Sequence, residues 1–401
     1  MSPLESLKEY SVLFFTKSAP AYERSLLKSI NLKNRIIGIV GAKGVGKTTL
    51  LLQFMKKQAF DVDEMIYISV DHPLMSTVSI LDIAKEFASI GGKLLVLDEI
   101  HNQPDFAADL KAIWDFLEIN VLFSGSSALH LDNADLSRRV LKYKLPTLSF
   151  REFVEIETGL PFNTLSLPQL LTEHTSHCTE ILAQIKPLKY FKAYLDYGYY
   201  PFYLEDKLSF KVKLSEAINK TIDVDLLQLY HIDPKKIRNL KKILTMLCVS
   251  VPYKPNMSSL AQAVEIDPKT LYTYLNALQA ARIIKMVALQ SRGESIIKKP
   301  EKIYLDNPNL FKALCQTPDI GSIRESFFVS SVYNAGLSVN ASQKGDFFVN
   351  NQFVFEVGGK DKGYKQIKQL DNAFIAADNI EIGHNNRQYH KIPLWLFGFL
   401  Y

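Results

Sequence analysis

Eight residues near the N-terminus, Gly41-Ala42-Lys43-Gly44-Val45-Gly46-Lys47-Thr48, restrict this 401-residue chain to few folds. They complete the pattern G-x-x-x-x-G-K-[ST] and lie where that pattern has physical meaning. Before them, the apolar run Ile36, Ile37, Ile39 and Val40 predicts a buried strand. After them, Leu50, Leu51, Phe54 and Met55 recur at helical spacing. Gly41, Gly44 and Gly46 permit backbone conformations costly for other residues, so the amides from Gly41 to Thr49 can converge on the phosphates of ATP. Lys47 is expected to bring charge to the β and γ phosphates, and Thr48 a hydroxyl to Mg²⁺. The helix starting near Lys47 points its positive end at the same anion.

A second element supports the first. Leu94-Leu95-Val96-Leu97-Asp98-Glu99 is an apolar strand ending in two acids, the Walker B form. Asp98 is expected to hold Mg²⁺ through water, and Glu99 to polarise the attacking water as general base. Further apolar runs at 65–70 and 120–124 alternate with helical stretches, which predicts a parallel sheet with helices on both faces. Ligands in such sheets sit beyond the carboxyl ends of the strands. Ser124-Gly125-Ser126-Ser127 falls at one of these ends. Either Ser124 or Ser126 senses the γ-phosphate or the attacking water, or the run is a serine-rich turn; spacing leaves both open. Arg138 and Arg139 follow Leu136-Ser137 on a predicted helix, as an arginine finger or sensor or as a solvated basic pair.

The segments Asp98-Glu99-Ile100-His101, Phe123-Ser124-Gly125-Ser126-Ser127, Leu136-Ser137-Arg138-Arg139 and Leu148-Ser149-Phe150-Arg151-Glu152-Phe153 together resemble the bacterial and archaeal AAA-type ATPases that carry a C-terminal restriction-endonuclease-like domain. Gly198-Tyr199-Tyr200-Pro201-Phe202 is similar to the glycine-tyrosine-proline signature after that family's lid. The resemblance implies that Ser124 or Ser126 is sensor 1. It also implies that Arg138 or Arg139 is a second phosphate-sensing or intersubunit residue.

Residues 151–230 lack strand alternation and carry helical stretches at 167–185 and 212–227. The aromatics between them (Tyr190, Phe191, Tyr194, Tyr197, Tyr199, Tyr200, Phe202 and Tyr203) fall at helical spacing, which predicts packing of a lid on the ATPase core rather than stacking on bases. From 231 to 302 the charge changes: 13 basic and 5 acidic residues give +8, against +5 for the whole chain. Helices are predicted at 236–250, 258–264 and 268–281, the last opened by Asp267 and Pro268. With Leu271, Leu275 and Leu278 inward and Lys269, Thr270, Thr273 and Tyr274 outward, this matches a helix-turn-helix. The ribbon 290–302, with Arg292, Lys298 and Lys299, is its expected wing. The module binds nucleic acid or only protein, and the basic surplus favours double-stranded DNA. With no Arg or Asn expected on the exposed helix face, direct base readout is not predicted.

In residues 321–360, a helix and two strands at 346–349 and 353–357 carry Glu325, Asp346 and Glu356. Acids so spaced can bind Mg²⁺ through hard oxygen ligands. They resemble the acids of the PD-(D/E)xK nuclease fold, with Gln366 similar to its trailing glutamine. That pattern wants a lysine two residues after Glu356, where this chain has Gly358. Either Lys360 reaches the site from a strand bulged at Gly358-Gly359, or the domain keeps the fold without the catalysis. The apolar tail 390–401 predicts a final strand or a contact with a partner subunit.

At 47% hydrophobic and 22% charged, the composition excludes a disordered or collagen-like chain. Cys178, Cys248 and Cys315, odd in number and widely spaced, predict no disulfide framework and no zinc site, but small core residues in a reducing compartment. Residues 1–10 lack the basic-then-apolar start of a signal peptide, and no run approaches the roughly 20 apolar residues of a spanning helix, so a cytoplasmic protein without a membrane contact is expected. The expectation is an α/β chain in four parts. These are a P-loop AAA-type ATPase core at 1–150, a helical lid at 151–230, a winged helix-turn-helix at 231–302 and an α/β restriction-endonuclease-like domain at 303–401. Its expected work is ATP hydrolysis with Mg²⁺ on double-stranded DNA, alone or as a homo-oligomer. The alternatives are a regulatory ATPase with a protein partner and an ATP-gated nuclease.

Overall fold

Six successive buried residues, Ile36–Gly41, offer no polar face to water and form β1 inside a five-stranded sheet of order β2-β3-β4-β1-β5. Its other strands are β2 (Met65–Ser69), β3 (Leu94–Asp98), β4 (Asn120–Ser126) and β5 (Val140–Lys144), and every pairing is parallel. The register sets Ile36 against Val121 and Gly41 against Ser126, so the carboxyl ends of β1 and β4 finish level. Parallel neighbours need crossovers. The helices of this part are α1 (Pro3–Phe15), α2 (Lys47–Lys56), α3 (Ile80–Ser89), α4 (Phe106–Phe116) and α5 (Ala134–Ser137). The computed structural model describes residues 2–128, 134–249, 256–289, 299–368, 370–385 and 390–401. The chain divides into two units, Met1–Thr147 and Leu148–Tyr401.

The second unit opens with helices: α6 (Phe150–Thr158), α7 (Leu167–Leu182), α8 (Pro187–Tyr197), α9 (Phe210–Lys220), α10 (Leu226–Tyr230), α11 (Ile237–Val249), α12 (Met257–Ala263) and α13 (Pro268–Ala280). An antiparallel pair, β6 (Ile284–Ala288) and β7 (Pro300–Leu305), follows. Next come α14 (Pro308–Leu314), α15 (Ile320–Asn334) and the strands β8 (Val339–Ala341), β9 (Phe347–Val349), β10 (Phe353–Gly358), β11 (Ala373–Ala377), β12 (His384–Asn385) and β13 (His390–Pro393). These six form a mixed sheet of order β12-β13-β11-β10-β9-β8.

The aromatic cluster is core, within this second unit. Phe150 packs on Phe191, Tyr194, Trp395 and Phe399, and Phe191 on Phe327. Its partners include α15 and the chain's end. The Gly198–Pro201 turn is held by two asparagines at the start of α14. The Tyr199 N–H donates to Asn309 Oδ1 at 2.9 Å, and Asn307 Nδ2 donates to the Tyr200 hydroxyl at 3.0 Å. The tail is a strand only over His390–Pro393; Leu394–Phe399 is a buried 3₁₀ turn that fills this unit's own core. No helix among the described residues is long and apolar enough to cross a membrane.

The cysteines correct the sequence reading. Cys248 on α11 and Cys315 after α14 form a disulfide, with α-carbons 5.2 Å apart across 67 residues of sequence. Only the fold brings them together, so spacing gave no sign of the pair. Cys178 is free and buried on α7, and burial pushes its thiol up to about 12 against the Gly383 N–H. Alkylation in denaturant without reductant is therefore expected to modify one thiol, and three after reduction. Three modified thiols before reduction would contradict the pairing.

Candidate functional site

The ends of β1, β3 and β4 build the site. Gly44 (φ 84°) and Gly46 (φ 94°) stand in the left-handed region that side-chain-bearing residues avoid, and Gly46 caps α2. Lys47, the first residue of α2, is buried and folds back over the loop, its Nζ donating to Gly41 O at 3.2 Å and Ala42 O at 3.4 Å. Arg24, which sequence reading missed, braces the loop by donating to the carbonyls of Val45 (3.4 Å), Pro146 (3.0 Å) and Thr147 (3.3 Å). Such a cradle fits a chain of phosphates at a helix N-terminus.

Asp98, 3% exposed, takes hydroxyl donors from three elements. Thr48 Oγ1 donates to Oδ2 at 2.6 Å, Tyr67 OH to the same oxygen at 2.9 Å, and Ser124 Oγ to Oδ1. Burial and the neighbouring Asp98 charge push the Tyr67 phenol far up, so it remains a donor. A hydroxyl and a carboxylate oxygen so close supply hard ligands of the kind Mg²⁺ takes, so the residues present fit that ion. The Ser124 hydroxyl faces Asp98 and also accepts the Glu99 N–H at 3.0 Å. Ser126, at the tip of β4, accepts the Ala128 N–H at 3.3 Å, and its own N–H donates to His101 Nδ1 at 3.3 Å.

Glu99 lies between a lysine and a histidine. Its Oε1 is 3.6 Å from Lys47 Nζ and its Oε2 is 3.5 Å from His101 Nδ1. Burial works to raise its pKa, but the charges of Lys47, His101 and Lys43 outweigh it and hold the carboxyl below its ordinary value. Tyr67 and His101, like Arg24, are residues here that sequence reading did not assign. Arg138 and Arg139 lie in the turn after α5, not on the helix. Arg139 makes a bidentate pair with Asp115 on α4, at 3.0 and 3.3 Å, while Arg138 is exposed.

The basic segment is less open than its sequence. Lys235, Lys236, Arg238 and Lys269 are exposed, but Arg282, Lys285 and Lys302 turn inward. Arg282 (3.2 Å) and Lys285 (3.5 Å) pair with buried Asp306, and Lys285 also lies on the Tyr333 ring. On α13, Lys269 and Thr273 face solvent as expected. Tyr274 is buried, because it falls on the inward stripe with Leu271, Leu275 and Leu278, and Asn276, which sequence reading passed over, is exposed. Of the expected wing, Arg292 and Lys298 lie outside the described residues; the paired strands are β6 and β7.

Glu325, Asp346 and Glu356 come together, but through lysines. Lys302 Nζ is 3.1 Å from Glu325 and 3.4 Å from Asp346, and Lys362 Nζ is 2.5 Å from Glu356 and 3.7 Å from Asp346. The Tyr304 hydroxyl donates to Glu325. The lysine is therefore Lys362 and not Lys360, which is exposed and whose carbonyl accepts from Lys391. A turn closed by Lys362 N–H on Gly359 O (3.0 Å) sends it back, and a Cβ at Gly358 would stand 2.7 Å from its Cδ. Gly358 thus clears the path for Lys362. Gln366 is exposed in the following turn. Among the described residues no group of three or more His, Cys, Asp or Glu side chains is placed to hold a metal ion. With two ammonium groups already on these carboxylates, they do not fit the Mg²⁺ expected at Asp346 and Glu356.

Comparison with known proteins agrees with the first unit's chemistry. Residues 33–154 match the AAA domain family, and residues 188–320 a domain of unknown function, DUF8612. An uncharacterized protein of Methanocaldococcus jannaschii, MJ1637, is 25% identical over 385 residues, covering 88% of this chain and 81% of the relative. Solved structures with some likeness include the Orc1 protein of Aeropyrum pernix in complex with DNA (12% identity, 78% of this chain and 91% of that one, TM-score 0.33). Another is AMPPCP-bound DnaA from Aquifex aeolicus (19% identity, 63% and 86%, TM-score 0.24). Scores of this size do not reach a shared overall fold.

Two measurements check these geometries. Tyr67→Phe should cost about 1.5–3 kcal/mol, the range for a hydrogen bond to a charged group, in denaturant unfolding of the full chain. In an Asp98→Asn background that loss should shrink by half or more; equal losses in the two backgrounds would mean that the hydroxyl's contribution does not come from Asp98. For the C-terminal cluster, burial and the Asp346 charge outweigh Lys362 and raise the Glu356 pKa, so the folded state holds its proton more tightly and stability falls as pH rises through that window. Lys362→Met leaves Glu356 without that cation. It should cost roughly 2–3 kcal/mol at pH 8, below the value for a fully buried pair, and clearly less at pH 5. Equal losses at both pH values would contradict the pairing.

Proposed function

We propose that the AAA-type domain at 33–154 binds ATP with Mg²⁺ and hydrolyses it, and that the second unit couples this cycle to double-stranded DNA. The observation that carries the reading is the convergence of Lys47, Thr48, Asp98 and Glu99 at one set of strand ends. In this reading the amides from Gly41 to Thr49 (Ala42, Lys43 and Val45 among them) hold the phosphates. Lys47 leaves its loop carbonyls and Glu99 for the β and γ phosphates. Thr48 and Asp98 hold Mg²⁺, which when bound neutralises charge developing on the phosphate oxygens. Glu99, released from Lys47, takes a proton from the attacking water. Ser126 is the better placed of the two serines to sense phosphate, since the Ser124 hydroxyl is committed to Asp98. Arg138, exposed where Arg139 is paired, is the arginine available to a second copy.

For DNA we read α11, α12, α13 and the β6–β7 pair as a winged helix-turn-helix, within a division into core 1–150, lid 151–230, winged helix 231–302 and C-terminal α/β domain 303–401. Lys235, Lys236, Arg238 and Lys269 are its phosphate contacts, and exposed Asn276 adds a side chain able to read a base edge. A regulatory ATPase with a protein partner is the second reading, favoured by the inward turn of Arg282, Lys285 and Lys302. The lysines on Glu325, Asp346 and Glu356 speak against the third, an ATP-gated nuclease.

Lys47→Ala is expected to abolish nucleotide binding. Glu99→Gln should bind ATP normally and lose hydrolysis by about 10²-fold or more; normal turnover in it would sink the assignment of the base. Binding of the full chain to duplex DNA should weaken steeply with salt. Replacing Lys235, Lys236, Arg238 and Lys269 by Glu should weaken it at least about tenfold and flatten the salt slope. If neither happens, the protein-partner reading stands in place of the DNA one.

A further inference from the structure

Glu99 closes β3 with a left-handed backbone, φ 56° and ψ 48°, uncommon for a residue with a side chain. The sharp turn that follows, Ile100–Asn102, folds the chain back on itself. It sets the buried imidazole of His101 beside the carboxylate two residues before it. One nitrogen meets two groups there: His101 Nδ1 is 3.3 Å from the Ser126 N–H that donates to it and 3.5 Å from Glu99 Oε2. A ring nitrogen has a single in-plane site. It accepts from Ser126 when bare and donates to Glu99 when it carries the proton. Ser126 ends β4, the strand between the P-loop strand β1 and the strand that delivers Asp98. Glu99 thus has two neighbours of different fates. Lys47, 3.6 Å away, is the one that phosphates draw off; His101 stays, tied to the tip of β4.

We propose that His101 is a positioning residue for hydrolysis: with its Nδ1 donating to the Glu99 carboxylate, it holds the direction of that carboxylate once Lys47 has turned to the phosphates, while the Ser126 N–H at the tip of β4 takes the same nitrogen when it is bare. This rests on the reading of Glu99 as the base of an ATPase. A misdirected base costs rate rather than affinity.

The test uses the full chain, with phosphate release and binding of a fluorescent ATP analogue measured in parallel. His101→Ala should lower kcat about tenfold or more, with KM and analogue affinity changed less than about twofold. His101→Asn, whose amide reaches the place of Nδ1, should recover most of the rate; His101→Gln, whose amide reaches the place of Nε2, should not. In a Glu99→Gln background His101→Ala should have no further effect on the residual rate. A His101→Ala protein that keeps more than half of kcat, or that loses affinity in proportion to rate, overturns the proposal. So does an Asn variant no faster than the Gln variant, a comparison that holds even if the Ala variant does not fold. A wild type that releases no phosphate overturns the ATPase reading itself, and this proposal with it.

Discussion

A carboxylate taken out of water must be given donors, and the supply of donors to Asp98 organises the first unit. Thr48, Tyr67 and Ser124 bring hydroxyls to it from α2, β2 and β4. The strand order β2-β3-β4-β1 makes this possible, because the strands carrying Tyr67 and Ser124 are the two neighbours of the strand carrying Asp98. The helix carrying Thr48 follows β1, next to β4. With Asp98 fixed, Glu99 starts from a fixed point, and the lysine of the loop meets it.

Much of this was legible in the sequence because it is local. The glycine loop, the apolar runs of β1, β2, β3 and β4 and the acids after β3 each carry their meaning within a few residues. What stayed hidden depends on partners distant in the chain. Tyr67 reads as one more strand aromatic until its hydroxyl meets Asp98, 31 residues on. The bond from Ser124 to Asp98 is set by the pairing of β4 beside β3, 26 residues away, and has no local signature. The bond between Cys248 and Cys315, 67 residues apart, leaves no trace in their spacing. Tyr274 was misplaced for a different reason: periodicity gave its helix but drew the inward stripe one residue too narrow.

Charge was the least faithful guide in the second unit. A count gives residues 231–302 a surplus of +8, yet Arg282, Lys285 and Lys302 are spent on Asp306, Glu325 and Asp346. Buried ion pairs satisfy charges that burial would otherwise make costly, and they contribute nothing to an outward field. One of them, Lys302, also pairs with Glu325 and Asp346, two of the acids that resembled a metal site. One placement therefore changes two functional readings. The missing lysine after Glu356 is replaced by one six residues on, and Gly358 makes the room for it.

The central claim is that the β1, β3 and β4 ends form a working ATPase centre in which Thr48 and Asp98 hold Mg²⁺. Phosphate release from ATP by the full-length wild type, with Mg²⁺ and with the ion chelated, tests it most directly. The account predicts steady, saturable release that stops on chelation and returns when Mg²⁺ is restored. No release with Mg²⁺ present, or release indifferent to its removal, would contradict it.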